Sequence, residues 1–498
     1  MQQPSKLSVP PSSSSQTPLQ SSSTPSSSTS STKESSKKSN SQLKIMEWRF
    51  NQFLGEKITY EQIRYDPENE SFLVTNVKFT QDGLNVIVSD KGGRVIIFKK
   101  SDAKVKQPKL NYFFEYQAQE KDFDVHKSIE YPEEIKGLCV YQPCANDNKL
   151  DILTAGYRTI KLDRIYESKV RSEDDFAAVA AQSNNNNNSG AIYIPSISAQ
   201  TGNSEIKTKT KKMFCCTHSN EINSLSLNKT NINNFISSDE FRVYLWDINH
   251  TGKDVYTPID IEPENEAENE NAEKITRSVY SNMNPHVFLY GTNKGNIKVC
   301  DLRSGSSQNN FNLSFSDEKS NITHTIANSL LSIHDFSTNS NNMYSFATRN
   351  YFSINLWDMR KSNEPTSKLL IYEPIINKLT YIYQNSYIND KFTLDTDPSG
   401  KFILTGGYNN MFHVIDIEQR LNSQIRIDDS NEKLMNTNVI RKINAKGSCY
   451  YKKDDPNISN IDFNKKILYQ AYSPVDNFAL LAIYNCIYTY SGNIAKKK

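Results

Sequence analysis

Residues Thr217 to Asp247 read THSNEINSLSLNKTNINNFISSDEFRVYLWD, and their period decides the fold. Ile222 and Ser224 fall on one side of an extended chain, and Asn223, Leu225 and Leu227 on the other. After a polar break the text resumes as FISSD and closes as RVYLWD. Alternation with a period of two over about four to eight residues, interrupted by Asn and Asp clusters, belongs to β-strands and not to helices. The spacing predicts three short antiparallel strands. Trp246 is large enough to wedge between neighbouring sheets, and Asp247 ends the strand.

The same grammar recurs on both sides. In VTNVKFTQDGLNVIVSDKGGRVIIFKK, starting at Val74, Val77 and Phe79 alternate, Asp82-Gly83 makes a tight turn, and Val86–Val88 and Val95–Phe98 supply two more strands. Aligned on the residue that ends each third strand, the copies fall at Phe98, Asp163, Trp246, Cys300, Trp357, Ile415 and Tyr490. Their intervals run from 54 to 83 residues, longer than the roughly 40–45 of a minimal WD-type repeat. The extra length is polar and sits at 170–213, 262–274 and 420–460. Loops inserted on a repeat scaffold account for it.

Seven such units predict an all-β, seven-bladed WD-repeat β-propeller over 45–493, with 170–213 leaving the second blade as a hairpin insertion and 420–460 a long inter-blade insertion. The strand around Trp48 to Leu54 is expected to complete the last blade and close the ring. Residues 1–44 are Ser, Pro, Thr and Gln with few apolar side chains, a composition that predicts a disordered tail.

Composition excludes several classes. The 498 residues carry a net charge of +2, and the first 44 hold five Lys against one Glu, so the remainder is slightly acidic and gives no signal for nucleic acid. No apolar run approaches the length of a membrane span. The seven Cys form no metal-ligand spacing, so no metal and no cofactor is expected, and their odd number suits a reducing cytoplasm or nucleus. Nucleophile-elbow, zinc-protease, phosphate-loop and dinucleotide motifs are absent, which points to a chain with no catalytic residues. His218 is expected to make a buried hydrogen bond between strands.

Strand order sorts the loops onto two faces. Turns between second and third strands share one face with the inter-blade connections, which collects Asp90-Lys91, Asp239-Glu240, Arg349-Asn350-Tyr351, Tyr408-Asn409-Asn410 and Phe123-Asp124. The run from Asp260 to Glu273 adds seven carboxylates, Glu264, Glu266 and Glu268 among them, with no Lys or Arg. Such a rim attracts Lys/Arg-rich segments, and salt screens the attraction.

SDKGGRVIIF at 89–98, DFDVHKSIEYPEEI at 122–135, THSNEINSLSLN at 217–228, SSDEFRVYLW at 237–246, KGNIKVCDLR at 294–303, GGYNNMFHVID at 406–416 and NIDFNKKILYQAYSPVDN at 460–477 occur in this order. Together they resemble the regulatory B subunit, fifty-five-kilodalton class, of protein phosphatase type 2A. The resemblance implies a non-catalytic subunit that docks on the scaffold (A) and catalytic (C) subunits and selects phosphoserine or phosphothreonine proteins through basic segments. It implies substrate contacts at Asp239 and Glu240 first, then at Asp90, Lys91, Phe123, Asp124, Glu264, Glu266, Glu268 and Tyr408. It also implies a hairpin that grips the scaffold, with Ile192, Tyr193, Ile194, Pro195 and Ile197 as one arm. The chain departs from the family in having Asp163 for a Trp, Asp239-Glu240 for a pair of Asp, and CCTHSN for a longer His-containing string. A generic WD-repeat scaffold, such as a ubiquitin-ligase substrate receptor, is the alternative reading.

Overall fold

The computed structural model describes residues 45–57, 59–101, 108–124, 129–142, 149–169, 204–215, 217–250, 255–264, 272–304, 311–316, 330–361, 364–371, 378–427, 437–442 and 461–495. Seven antiparallel sheets take in nearly all of the strands. Blade 1 takes Val74–Phe79, Asn85–Asp90, Arg94–Lys100 and Leu110–Gln117 from the inside outward. Blade 2 takes Gly137–Tyr141, Leu150–Ala155, Ile160–Lys169 and Ser204–Phe214, and blade 3 takes Ser224–Leu227, Asn234–Ser238, Arg242–Asp247 and Tyr256–Asp260. Blades 4 and 5 begin at Ile275–Tyr280 and Asp335–Thr338. Each innermost strand touches the next, and the last, Tyr469–Tyr472, returns to Val74–Phe79, so the sheets form a ring.

All seven third-strand positions expected from the sequence lie in third strands. The ring is closed by Ile45–Leu54, which runs antiparallel to Cys486–Ala495 as the outermost strand of blade 7, with Trp48 opposite Gly492. The Trp48 ring is buried and meets Tyr472 edge-on at 5.8 Å. Burying an aromatic of this size supplies several times the free energy of one strand hydrogen bond. Deletion of the strand would expose the edge of blade 7 and open its core together.

Each gap between consecutive blades holds one apolar cluster. Phe214 of blade 2, for example, meets Trp246 of blade 3 at 5.3 Å. Asp163 stands where the corresponding wedge of blade 2 would be. It is buried at a bulge, accepts the Thr210 hydroxyl at 2.7 Å, and burial holds its pKa above the usual range.

Two departures from four-stranded regularity fall in the long insertions. In blade 2 the third and fourth strands run on together past the second, Tyr166–Lys169 pairing with Ser204–Lys207 as a two-stranded arm. At its base Asp151, buried, takes Arg164 at 2.7 Å and Lys211 at 3.0 Å. The arm leaves from the face opposite the turns between second and third strands. Ile192, Tyr193, Ile194, Pro195 and Ile197 lie outside the described residues, as do the tail 1–44, Glu266 and Glu268. Within 420–460, Leu421–Arg426 is the ordinary fourth strand of blade 6 and Thr437–Lys442 pairs with it as a fifth.

Candidate functional site

The face carrying the turns between second and third strands is built on blade 3. There Asp239 Oδ1 accepts the N–H groups of Phe241 at 3.0 Å and Arg242 at 2.8 Å, which makes the tight turn before Arg242–Asp247. Asp239 Oδ2 lies 3.0 Å from His218 Nδ1, His218 Nε2 lies 2.7 Å from Ser237 Oγ, and Trp246 Nε1 donates to the same hydroxyl at 2.7 Å. This bridge of four side chains ties the connection from blade 2 to the second and third strands of blade 3. Burial works to raise the Asp239 pKa, but the His218 and backbone hydrogen bonds outweigh it and hold the carboxyl below its ordinary value.

Three of the expected contact residues lie buried. Asp239 is fully buried with both oxygens hydrogen-bonded, and it shapes the turn. Asp90 is buried too, its Oδ1 accepting the Arg94 N–H at 2.9 Å and its Oδ2 the guanidinium at 2.7 Å. Tyr408 is enclosed between Phe392 and Phe463, and its hydroxyl donates to Asp390 at 2.9 Å. Asp239 and Asp90 satisfy the backbone of their own tight turns, whereas the Tyr408 hydroxyl is held by Asp390 and Tyr351.

Other expected residues reach the surface. Glu240 is half exposed and pairs with Lys274 at 2.8 Å, and Lys91 pairs with Glu70 at 2.8 Å. Phe123 projects from a short hairpin, Asp122–Asp124 with Ile129–Tyr131, and is 53% exposed, while Glu264 is also exposed. Backbone placement puts Asp124 on that hairpin.

The charge of the face follows from unequal pairing. Arg242 holds both Asp260, at 2.9 Å, and Glu262. Lys136 holds both Glu134, at 3.1 Å, and Glu221, at 2.6 Å. Each group has two carboxylates on one cation and keeps a net negative charge. Lys391 lies within electrostatic reach of Lys136, Arg277, Glu221 and Glu240. Blades 2, 3, 4 and 6 thus converge on one rim around the axis.

Sequence reasoning missed Glu134 and Glu221 as members of this rim, although both stand in quoted motifs. It also missed exposed aromatics on the same face: Tyr157 in the turn between second and third strands of blade 2, and Tyr381 and Tyr383 on the helix Leu379–Gln384 that leads into blade 6. Their signal was an apolar aromatic inside a polar connection. Among the described residues no three His, Cys, Asp or Glu side chains come together as a metal site.

Seven blades, six of four strands and one with a fifth at its edge, closed by the first and last strands and with the His218–Asp239–Ser237–Trp246 bridge in one of them, define a WD-type β-propeller. No family model matches the sequence. Across 491 residues, 90% of this chain and 98% of the relative, it is 27% identical to the serine/threonine-protein phosphatase 2A regulatory subunit phr2AB of Dictyostelium discoideum. In shape it is similar to Raptor from Chaetomium thermophilum, with a TM-score of 0.50 and 12% identity over 84% of this chain, which spans 28% of that longer one; this likeness concerns the fold alone. Over nearly its whole length the chain is thus homologous to a regulatory, non-catalytic subunit of protein phosphatase 2A.

Proposed function

We propose that the chain is the regulatory subunit of a heterotrimeric protein phosphatase 2A, docking on the scaffold (A) and catalytic (C) subunits and choosing phosphoserine and phosphothreonine proteins for them. The observation that carries this is the relationship to a phosphatase 2A regulatory subunit over 98% of that subunit's length. Two features support the division of labour. The arm of blade 2 projects from one face and suits a grip on the scaffold. The opposite face gathers Glu134, Glu221, Glu240 and Glu262 with exposed Phe123, Tyr157, Tyr381 and Tyr383, which suits basic segments that also carry apolar or aromatic side chains.

The test is recovery of the tagged chain from its own cells and identification of what accompanies it. Stoichiometric scaffold and catalytic chains are expected. Recovery with ubiquitin-ligase components and no phosphatase chains would replace this reading by the alternative scaffold.

A further inference from the structure

Blade 1 lacks the bridge that fills the corresponding place in blade 3. Strand register makes the comparison residue by residue: Ser237 opposite Tyr244 and Phe235 opposite Trp246 correspond to Val88 opposite Ile96 and Val86 opposite Phe98. Arg242 and Asp239 correspond to Arg94 and Asp90. In blade 3 the His218 ring enters from the preceding connection, 4.5 Å from Tyr244, and takes the second oxygen of Asp239. The connection that leads into blade 1, residues 55–73, contains no His. Arg94 takes Asp90 instead, and a cavity of about 370 Å³ lies where the ring would be, lined by Val88, Ile96, Phe98 and Arg94 of blade 1 and by Leu54 and Ile487 of blade 7.

The surrounding chain holds this cavity open. Gly55 bends with φ +106°, where a Cβ would come within 2.6 Å of Asn485 O, so the connection turns directly over the mouth. Two short helices, Tyr60–Tyr65, begun by a Thr59 capping box, and Pro67–Ser71, then cross it. They are fastened to blade 1 by Gly92 N–H to Ser71 O at 2.7 Å and by Lys91 to Glu70. Gln62 and Asn69 stand at the rim, and Phe72 lies 4.8 Å beneath the Arg94 guanidinium.

We infer that this cavity receives one aromatic side chain of a partner protein, carried on a segment with basic residues around it. The aromatic preference follows from the internal precedent: between the same strands of blade 3, at the same depth, the space is filled by a planar ring. The basic flanks follow from the lid, where Glu56, Glu61, Asp66 and Glu70 outnumber Lys57. Size agrees, because pockets of about 300 Å³ and above enclose small ligands or single large side chains. The inference deepens the proposed function, since it rests on this face receiving partner proteins, and it assigns a specific anchor to blade 1.

Fluorescence anisotropy on the full chain tests it with labelled peptides of sequence Lys-Lys-Gly-Phe-Gly-Lys-Lys and the same peptide with Ala for Phe. The Phe peptide is expected to bind about tenfold or more tightly, the ratio of a well-buried aromatic anchor. Ile96→Trp, at a partly buried position that lines the cavity, puts a large ring into it and fills the space. It is expected to erase the preference while leaving the Ala peptide and the melting temperature unchanged. Should that variant melt early, Gln62→Trp at the mouth makes the same test. Equal binding of the two peptides by the wild type, or an undiminished preference in a folded filled variant, overturns the inference. Peptide binding that requires removal of residues 1–43 would assign the cavity to the chain's own tail and also overturn it. Assembly with scaffold and catalytic chains is measured separately, so failure here leaves the proposed function standing.

Discussion

The Nδ1 of His218 lies 3.0 Å from the Oδ2 of Asp239, and both side chains are buried. Asp239→Ala would leave His218 and the N–H groups of Phe241 and Arg242 without an acceptor, a loss of about 3 kcal/mol for hydrogen bonds to a charged group. Chemical denaturation should read this as a lower midpoint at unchanged slope. The carboxyl is held below its ordinary value, so its contribution is fully present above about pH 3.8 and is lost as pH falls through the depressed folded value. Asp239→Asn should flatten that acid limb. An unaltered acid limb would show that the bridge is not load-sharing in blade 3.

His334 behaves oppositely to a surface histidine. It is buried, its Nδ1 accepts the Phe392 N–H at 3.4 Å, and burial first, then Arg349 and Lys391, push its pKa down to about 3. The unfolded chain takes up the proton near pH 6.5 while the folded chain stays neutral. Stability should therefore decline as pH drops from about 6.5 toward about 3. His334→Gln should lose less between pH 7 and pH 5 than the wild type does, by thermal melts at each pH.

Removal of residues 1–57 takes Ile45–Leu54 out of blade 7, with Met46 and Trp48 from its core. The expected product aggregates or melts without a cooperative transition, because an edge and an apolar face are exposed together. Removal of 1–43 alone should leave the transition in place. Size-exclusion chromatography and calorimetry distinguish the two.

Charge reversal at Glu221 and Glu240 addresses the rim without touching the buried bridge. Both are partly exposed, so Glu221→Lys with Glu240→Lys should cost about 0.5 kcal/mol or less in stability. In the assembled phosphatase the pair should lower kcat/KM for basic phosphopeptides about tenfold at low salt, the gap narrowing as salt rises. Equal kcat/KM at all salt concentrations would remove the rim from substrate choice.

The ring was legible because its signal is repeated. Phe98, Trp246 and Trp357 each fall near the end of an apolar alternating strand, Tyr490 lies inside one, and Trp48 sits in an apolar stretch that the last blade needs. Thr437–Lys442 was not, since TNVIRK carries too few apolar residues to stand out inside a polar connection. The site was harder for a physical reason. Asp239, Asp90 and Tyr408 are polar residues at tight turns, and sequence alone does not say whether such a group faces solvent or its own backbone. Glu221 and Glu134 became visible only when Lys136 was seen to hold both. The cavity in blade 1 needed the register of two blades side by side.

Reconstitution bears most directly on the central claim. Purified chain, scaffold subunit and catalytic subunit are mixed and passed over a sizing column, in parallel with a chain in which residues 166–207, the whole arm, are replaced by a short Gly-Ser turn. That replacement spares the pairing of Ile160–Ile165 with Thr208–Phe214 in blade 2, so the ring stays intact. The account predicts a single 1:1:1 peak with the wild type and its loss with the shortened, still folded chain. A wild-type chain that elutes alone, beside a preformed scaffold–catalytic pair, would contradict it.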